Sequence, residues 1–234
     1  MARLPRLYAP GVPQLVQVRF ARPLAVAHEA TPGAALDLLQ SWLFSEIDRQ
    51  KIAVHAWVLL LDRMVLLGTP AQSRDISRII QGLGRRIATS MTHGRAFEGR
   101  YRSALVDDAW TPACMIWLES LPVTHGLVDA AVRWPWSSAQ EHVGLRAAAG
   151  MLGDHASYWE MGNTPFARQA RHLALLQAGP RVVDSLRIEQ AVFGQWALGE
   201  DDFTSRLSSR SSRRALPAPR GRPRKLPRTD TVTN

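Results

Sequence analysis

The stretch that decides the fold is residues 52–70, which read IAVHAWVLLLDRMVLLGTP. It is apolar on both sides of the pair Asp62-Arg63, and Gly68-Thr69-Pro70 closes it with residues typical of turns. Apolar runs of this length suit either two strands joined at Asp62-Arg63 or one long central strand. Both alternatives make these residues part of a β-sheet.

The segments on either side alternate between strand and helix patterns. Branched and aromatic residues at alternate positions predict strands, and apolar residues at intervals of three and four predict amphipathic helices. Together with the central stretch they predict a compact α+β domain over residues 1–145. Its other expected elements are strands at 14–20 and 98–106, helices at 34–51 and 73–91, and a short helix at 112–121.

The composition changes twice after that domain. Residues 146–205 predict a helical extension, with helices expected at 165–178 and 181–197. Residues 206–234 are rich in Ser, Arg and Pro, cannot bury enough apolar surface to fold, and are expected to be disordered. This tail has nine basic residues and one acidic residue, so it carries +8 of the net charge of +9.

The composition also excludes several classes of protein. The single cysteine, Cys114, rules out a disulfide framework within the chain and a thiolate metal cluster. No uninterrupted apolar run approaches the length of a membrane span, and no signal-peptide pattern follows the first residues. We therefore expect a cytoplasmic protein with no membrane contact, associated with the nucleoid through its basic tail.

Short pieces along the chain match one family in their order and spacing. The pieces are ARLPRL (2–7), PGVP (10–13), HAWVL (55–59), EGRYRS (98–103), CM (114–115), PV (122–123), GLV (126–128), WSS (136–138), WALG (196–199) and GRPRK (221–225). No piece is specific alone. Taken together, they resemble the REP-associated tyrosine transposases, a branch of the HUH single-strand transposases.

The resemblance implies a ferredoxin-like antiparallel sheet with helices on one face. Members of this family bind imperfect DNA hairpins and flanking single strands, and they cut and rejoin them. Two histidines, in a His-U-His motif with an apolar U, hold a divalent metal on the central strand, where the metal polarises the scissile phosphate. A tyrosine on a helix attacks the phosphorus and forms a phosphotyrosine intermediate.

The positions that match this chemistry hold other residues. In the family's register the two metal-ligand positions are Arg63, which has no free lone pair, and Val65, which has no ligand atom. The nucleophile position is Trp117, with Glu119 and Pro122 fixing the register, and an indole cannot form a phosphate ester. These losses predict a DNA-binding protein without catalysis, metal or other cofactor. Arg63 would be solvated or ion-paired, with a direct phosphate contact as the alternative.

Five residues of the domain are candidates for DNA contact. Arg85 and Arg86 lie on a predicted helix, and Arg100, Tyr101 and Arg102 lie on a predicted strand. In the family that the chain resembles, this region lies close to bound DNA. There an arginine can donate two hydrogen bonds to a phosphate, and a tyrosine can stack on an unpaired base. The alternative is a salt-bridged surface helix and a Tyr101 that belongs to the core.

The basic tail contains a second candidate DNA contact, an AT-hook-like motif. Gly221 would let the backbone sit deep in a narrow groove, and Pro223 would hold an extended path. Flanking cations would enter the minor groove of A·T-rich DNA or bind phosphates without sequence preference. The expected partner is therefore hairpin, single-stranded or A·T-rich DNA, contacted in the tail by Arg220, Arg222, Arg224 and Lys225.

Two other functions fit the same sequence. One is an active transposase with a rearranged site, in which Tyr101 would be the substitute nucleophile. The other is a remnant that acts through protein contacts by pairing with an active paralogue, and a homodimer stays open as well. The seven histidines form no His-x-His or His-x₃-His pair, so the sequence predicts no metal site elsewhere.

Overall fold

The computed structural model describes residues 6–24, 32–92, 94–147, 150–210 and 213–217. In it the central stretch forms two antiparallel strands, β2 (Ala53–Leu59) and β3 (Arg63–Thr69). A tight turn joins them, because the Leu60 amide donates to the Arg63 carbonyl oxygen at 2.8 Å. Of the two alternatives for this stretch, the structure has the strand pair.

Two further strands complete the sheet. β1 (Gln14–Arg19) pairs with β3 on one side and β4 (Arg102–Leu105) on the other, all antiparallel, so the strand order is β2-β3-β1-β4. Helix α1 (Pro32–Gln50) connects β1 to β2, and helix α2 (Asp75–Ile87) connects β3 to β4. This β-α-β-β-α-β order is that of the ferredoxin-like fold, and the expected α+β antiparallel sheet is confirmed.

β4 is shorter than the strand predicted at 98–106. Phe97 forms an isolated bridge with Phe20, and the Glu98 amide donates to the Arg19 carbonyl oxygen at 3.0 Å. The chain therefore meets the end of β1 first, turns through residues 98–100, and joins the regular ladder only at Arg102.

One face of the sheet is covered by α1 and α2, which pack against each other. The Phe44 ring of α1 meets the Trp57 ring of β2 edge to face, with 5.3 Å between centroids, and this contact identifies the face. The two helices come close because residue 82 is glycine. A Cβ at Gly82 would overlap the carboxylate of the buried Glu46.

The other face is covered by α3 (Thr111–Glu119) and α8 (Val182–Gly194). α3 packs against β2 and β3, and α8 packs against β4 and β1. Successive side chains of a strand point to opposite faces, and Trp57 points to α1. Its neighbour Val58, and Val65 opposite Val58, therefore point toward α3.

The helical extension shares the core of the sheet domain, since Ile188 and Val192 of α8 are buried in the same apolar cluster as the strands. Both helices predicted in this part are present, as α7 (Pro165–Ala178) and α8. Within the described ranges no helix is long and apolar enough to cross a bilayer. The short helices between α3 and α7 are α4 (Leu121–Thr124), α5 (Ala139–His142) and α6 (Ala156–Trp159).

The segment that was expected to be disordered from residue 206 onward begins inside a helix. Helix α9 (Asp201–Arg210) runs through the predicted boundary at 205/206. Leu207 and Ala215 are buried in a second apolar cluster that also contains Leu7 and Leu105. Their apolar side chains attach this part of the chain to the edge of the sheet domain. Residues 218–234 lie outside the described residues.

Candidate nucleic-acid interface

The three positions where the resemblance places catalysis lie on the α3 face of the sheet. Val65 is opposite Gln17 of β1, and Gln17 is opposite Arg102 of β4, so these side chains form one row across that face. Arg63 is two residues from Val65 on β3 and points the same way. Trp117 belongs to α3, which packs on β2 and β3. The fold thus brings all three positions to one side of the sheet.

Two of these positions are part of the apolar core. Val65 has no exposed surface, Trp117 is 5% exposed, and both belong to the main core cluster. A valine side chain offers no ligand atom, and an indole offers only an N–H donor. The metal implied by a His-U-His motif does not fit the residues at these positions, and Trp117 has no oxygen to form an ester with phosphate.

Arg63 is ion-paired. Its Nε and Nη2 atoms donate to Asp62 Oδ2 at 2.9 and 2.7 Å. Burial raises the pKa of Asp62, but the hydrogen bonds and positive charge of Arg63 outweigh burial and lower this pKa below its ordinary value. Arg63 is thus ion-paired in the DNA-free chain, and it places a cation where the resemblance would place a metal ligand.

An arginine-lined groove opens beside the row that contains Val65. Its volume is about 340 Å³, and its cationic side chains are Arg19, Arg100 and Arg102. Gln17, the neighbour of Val65 in the row, also lines it. Two of the three arginines, Arg100 and Arg102, are residues that the sequence put forward for DNA contact.

The groove keeps a positive charge although two carboxylates border it. Arg19 lies 3.8 Å from Asp62 and 3.4 Å from Glu98, and its side chain is 52% exposed. Exposed ion pairs at such distances contribute little, so Arg19 can exchange a carboxylate for a phosphate at small cost. Together with Arg63, the three groove arginines place four positive charges at this end of the sheet, against the two negative charges of Asp62 and Glu98.

One aromatic ring borders the groove. Phe193 on α8 is 48% exposed, and the Arg102 guanidinium lies over its ring, 4.9 Å from the centroid. The sequence did not point to Phe193, because it is 91 residues from Arg102 and no linear pattern connects them. Only the packing of α8 on β4 brings the ring to the arginines.

Tyr101, the aromatic residue considered for base stacking, lies in the core instead. It is 6% exposed, its hydroxyl is 2.9 Å from the Ser77 hydroxyl of α2, and the Arg6 guanidinium lies 3.5 Å from its ring centroid. Tyr101 has little ring surface left for a base. Its hydroxyl is held on the α2 side of the sheet, away from the face that α3 covers.

The two helix arginines lie on the α1–α2 side of the sheet. Arg85 and Arg86 are in the last turn of α2. Arg85 is exposed, whereas Arg86 lies 3.7 Å from the buried carboxylate of Glu46, which also pairs with Arg49 at 3.2 Å. The structure therefore does not bring these arginines together with the groove. The tail candidates Arg220, Arg222, Arg224 and Lys225 lie outside the described residues.

A buried cluster of Glu119, His142 and His172 was not expected from the sequence. The residues come from α3, α5 and α7, and none is more than 3% exposed. His142 Nδ1 donates to Glu119 Oε1 and His172 Nε2 to Glu119 Oε2, each at 2.6 Å, and the Ser138 hydroxyl also donates to Oε1. Sequence separations of 23 and 53 residues from Glu119 match no ligand spacing, so only the tertiary fold reveals the cluster.

The charges of this cluster are coupled. Burial raises the pKa of Glu119, but the two imidazoles outweigh burial and hold this pKa well below its ordinary value. Burial lowers the pKa of His142, but the Glu119 carboxylate outweighs burial and raises it. Among the described residues His172 Nδ1 is buried without a hydrogen-bond partner, which favours the tautomer with the proton on Nε2.

Comparison with known proteins bears on the fold. No family model matches the chain, and no curated protein matches it. Among solved structures, a REP-associated tyrosine transposase bound to a REP hairpin aligns with a TM-score of 0.50 and 18% sequence identity, over 67% of this chain and 96% of that chain. The two folds are similar. At this identity the likeness establishes the fold alone, and it agrees with the architecture implied by the short sequence pieces.

Proposed function

We propose that this protein binds DNA through the sheet face bordered by α3 and α8, and that it does not cleave DNA. The observation that carries the proposal is an arginine-lined groove beside positions where a metal and a tyrosine would act. Val65 and Trp117 are core residues, so neither ligand nor nucleophile is available from them. The structurally similar transposase is bound to a DNA hairpin. A polyanion of this kind suits the charge of the groove.

Binding would use the groove arginines as phosphate contacts. Guanidinium groups donate two parallel hydrogen bonds to a phosphate, and such charge-assisted bonds are among the stronger ones in proteins. Arg19 and Arg100 would hold the backbone phosphates. The exposed Phe193 ring, fixed by Arg102, would stack on an unpaired base next to the hairpin stem.

The tail would add affinity without defining the site. Residues 218–234 contain five basic residues and one acidic residue. Such a segment binds phosphates and, through its AT-hook-like motif, favours A·T-rich minor grooves. We expect it to strengthen binding to every DNA that is tested.

The test is a titration of the full chain against a labelled hairpin with a single-stranded flank, with and without Mg²⁺ or Mn²⁺. We expect binding that is independent of metal, and denaturing gels without nicks or covalent adducts. A shorter chain ending at Pro217 keeps the buried Leu207 and Ala215 and divides the affinity between fold and tail. A metal-dependent covalent adduct would mean an active transposase. No binding to hairpin, single-stranded or duplex DNA at moderate salt would refute the proposal.

The groove itself is tested by a double variant, Arg19→Ala with Arg100→Ala. Removing two phosphate contacts should weaken binding at least about tenfold and reduce the slope of log affinity against log salt by about 2. Arg133→Ala is the matched control, because Arg133 is exposed, pairs with Asp129 and does not line the groove. Equal affinities of the double variant and the control would contradict a binding role for the groove.

A second candidate function is pairing with another copy of this fold, including an active paralogue. The α8 helix favours it, because Val182, Val183 and Leu186 are all exposed. A paired assembly should appear in sedimentation without DNA, survive loss of residues 218–234, and be abolished by Val183→Asp with Leu186→Asp. A monomer at high concentration would remove this candidate.

A further inference from the structure

The Glu119–His142–His172 cluster has the composition of a metal centre. It offers two carboxylate oxygens and two imidazole nitrogens, and one ligand atom from each residue can be chosen so that all lie within 4.8 Å of one another. Zinc in proteins takes His nitrogen and Glu oxygen at about 2.0–2.2 Å, so tetrahedral ligand atoms lie roughly 3.3 Å apart. Side-chain shifts of about 1 Å would lengthen the short contacts between Glu119 and the two imidazoles. They would also shorten the longest distance between the chosen ligand atoms.

The buried negative charge of Glu119 must be balanced by a positive charge. Within the described part of the chain its ion-pair partners are His142 and His172, with no lysine or arginine among them. A buried carboxylate needs a compensating positive charge, which is either a proton on an imidazole or a bound cation. A divalent ion would supply that charge and would bind both imidazoles in their neutral form, with the proton of His172 moved from Nε2 to Nδ1.

Neighbouring groups hold the donors in place. The Ser138 hydroxyl donates to Glu119, and the Ser138 amide donates to the Trp57 carbonyl oxygen at 3.0 Å, which ties the carboxylate to β2. The Tyr158 hydroxyl donates to the His142 carbonyl oxygen at 2.9 Å. The first of these bonds orients a ligand carboxylate, and the last fixes the backbone of a ligand histidine.

We propose that Glu119, His142 and His172 bind one zinc ion or a chemically similar transition-metal ion that joins α3 to α5 and α7. The two nitrogens and one carboxylate suit zinc better than magnesium, which prefers oxygen ligands and retains water. The cluster is enclosed, so the ion would have a structural role, with the second Glu119 oxygen as the fourth donor of its tetrahedral site. This site uses none of the groove residues and does not depend on DNA binding.

The experiment measures zinc in the full, tag-free chain as purified, after chelation and after return of zinc. We expect close to one equivalent per chain by mass spectrometry of the metal, and a melting temperature at least about 5 °C higher with zinc than after chelation. Cobalt in place of zinc should give the visible absorption bands of a tetrahedral N/O site.

Variants distinguish this site from adventitious binding. His172→Gln and Glu119→Gln should lose the bound zinc and the cobalt bands. His155→Gln should keep both, because the His155 ring packs against His55 and not against the cluster. If the wild-type chain takes up no zinc, or if His172→Gln binds it equally well, the proposal is wrong and a proton alone balances Glu119. The wild-type measurement decides the question even if a variant does not fold.

Discussion

Arg102 is joined to Phe193 twice: its Nη1 donates to the Phe193 carbonyl oxygen at 3.1 Å, and its guanidinium lies 4.9 Å from the centre of the Phe193 ring. The first contact attaches the end of α8 to β4. The second turns one face of an exposed aromatic ring toward a cation. A base that stacks on Phe193 would therefore meet a ring whose position is already fixed, which reduces the entropy lost on binding.

Phe193→Ala should weaken binding to a hairpin with a single-stranded flank by about tenfold, since stacking of a base on an aromatic ring contributes roughly 1–3 kcal/mol. Binding to a blunt hairpin should change little. Fluorescence anisotropy with both DNAs measures the difference, and Leu186→Ala, exposed on the same helix, is the control. An equal loss with both DNAs would show that Phe193 supports the fold and does not contact the flank.

Asp62→Asn should tighten DNA binding several-fold at low salt. It removes a negative charge beside the groove and releases Arg63 from its ion pair. The gain should shrink as salt screens the charges. Asp129→Asn, which also breaks a surface ion pair but lies away from the groove, should leave affinity unchanged. Because the pKa of Asp62 lies below its ordinary value, the wild-type carboxylate should remain charged in mildly acidic buffer. Identical salt titrations of Asp62→Asn and wild type would count against the groove.

Stability should rise with pH through the titration of His55. Burial lowers the pKa of His55 to about 4, against about 6.5 in an unfolded chain. Between these values the unfolded chain binds more protons, so this contribution is complete above about pH 6.5 and is lost as the pH falls toward 4. Its size is at most about 3 kcal/mol. Urea unfolding between pH 4.5 and 7 measures it. His55→Gln should flatten the slope, and the exposed His125→Gln should not.

Gly82→Ala should destabilise the protein by about 1–3 kcal/mol, the usual range for overpacking. In an exposed helix the same change would stabilise by up to about 1 kcal/mol. Here the new methyl group would meet the buried Glu46 carboxylate. Gln81→Ala, on the exposed side of α2, is the control for helix propensity. Thermal unfolding of both variants would reveal the opposite signs, and a stabilised Gly82→Ala would show that α1 can move away.

Much of the fold follows from local patterns in the sequence. The helices at 165–178 and 181–197 and the strand at 14–20 are close to their observed bounds, because apolar periodicity reflects which face is buried. The choice of a strand pair over a single strand depended on the turn at Asp62-Arg63. The order of the strands came from the resemblance, since no local pattern specifies which strands pair.

The candidate sites were harder to predict, for physical reasons. A strand sends Tyr101 and Arg102 to opposite faces, so an arginine exposed in the groove requires a tyrosine in the core. The partner of Arg102 is Phe193, on a helix far along the chain. Glu119 meets its two histidines across three helices, and sequence spacing carries no signal for such a cluster.

The burial of Val65 and Trp117 also bears on how this chain can evolve. Both side chains belong to one closely packed apolar core, where an unpaired polar group typically costs about 1–3 kcal/mol. Val65→His or Trp117→Tyr alone would lower the stability of the fold without providing catalytic activity. Several changes would have to occur together, Arg63→His among them. On the proposed function, a metal site and a tyrosine at these positions would therefore require a repacked core as well as new polar groups.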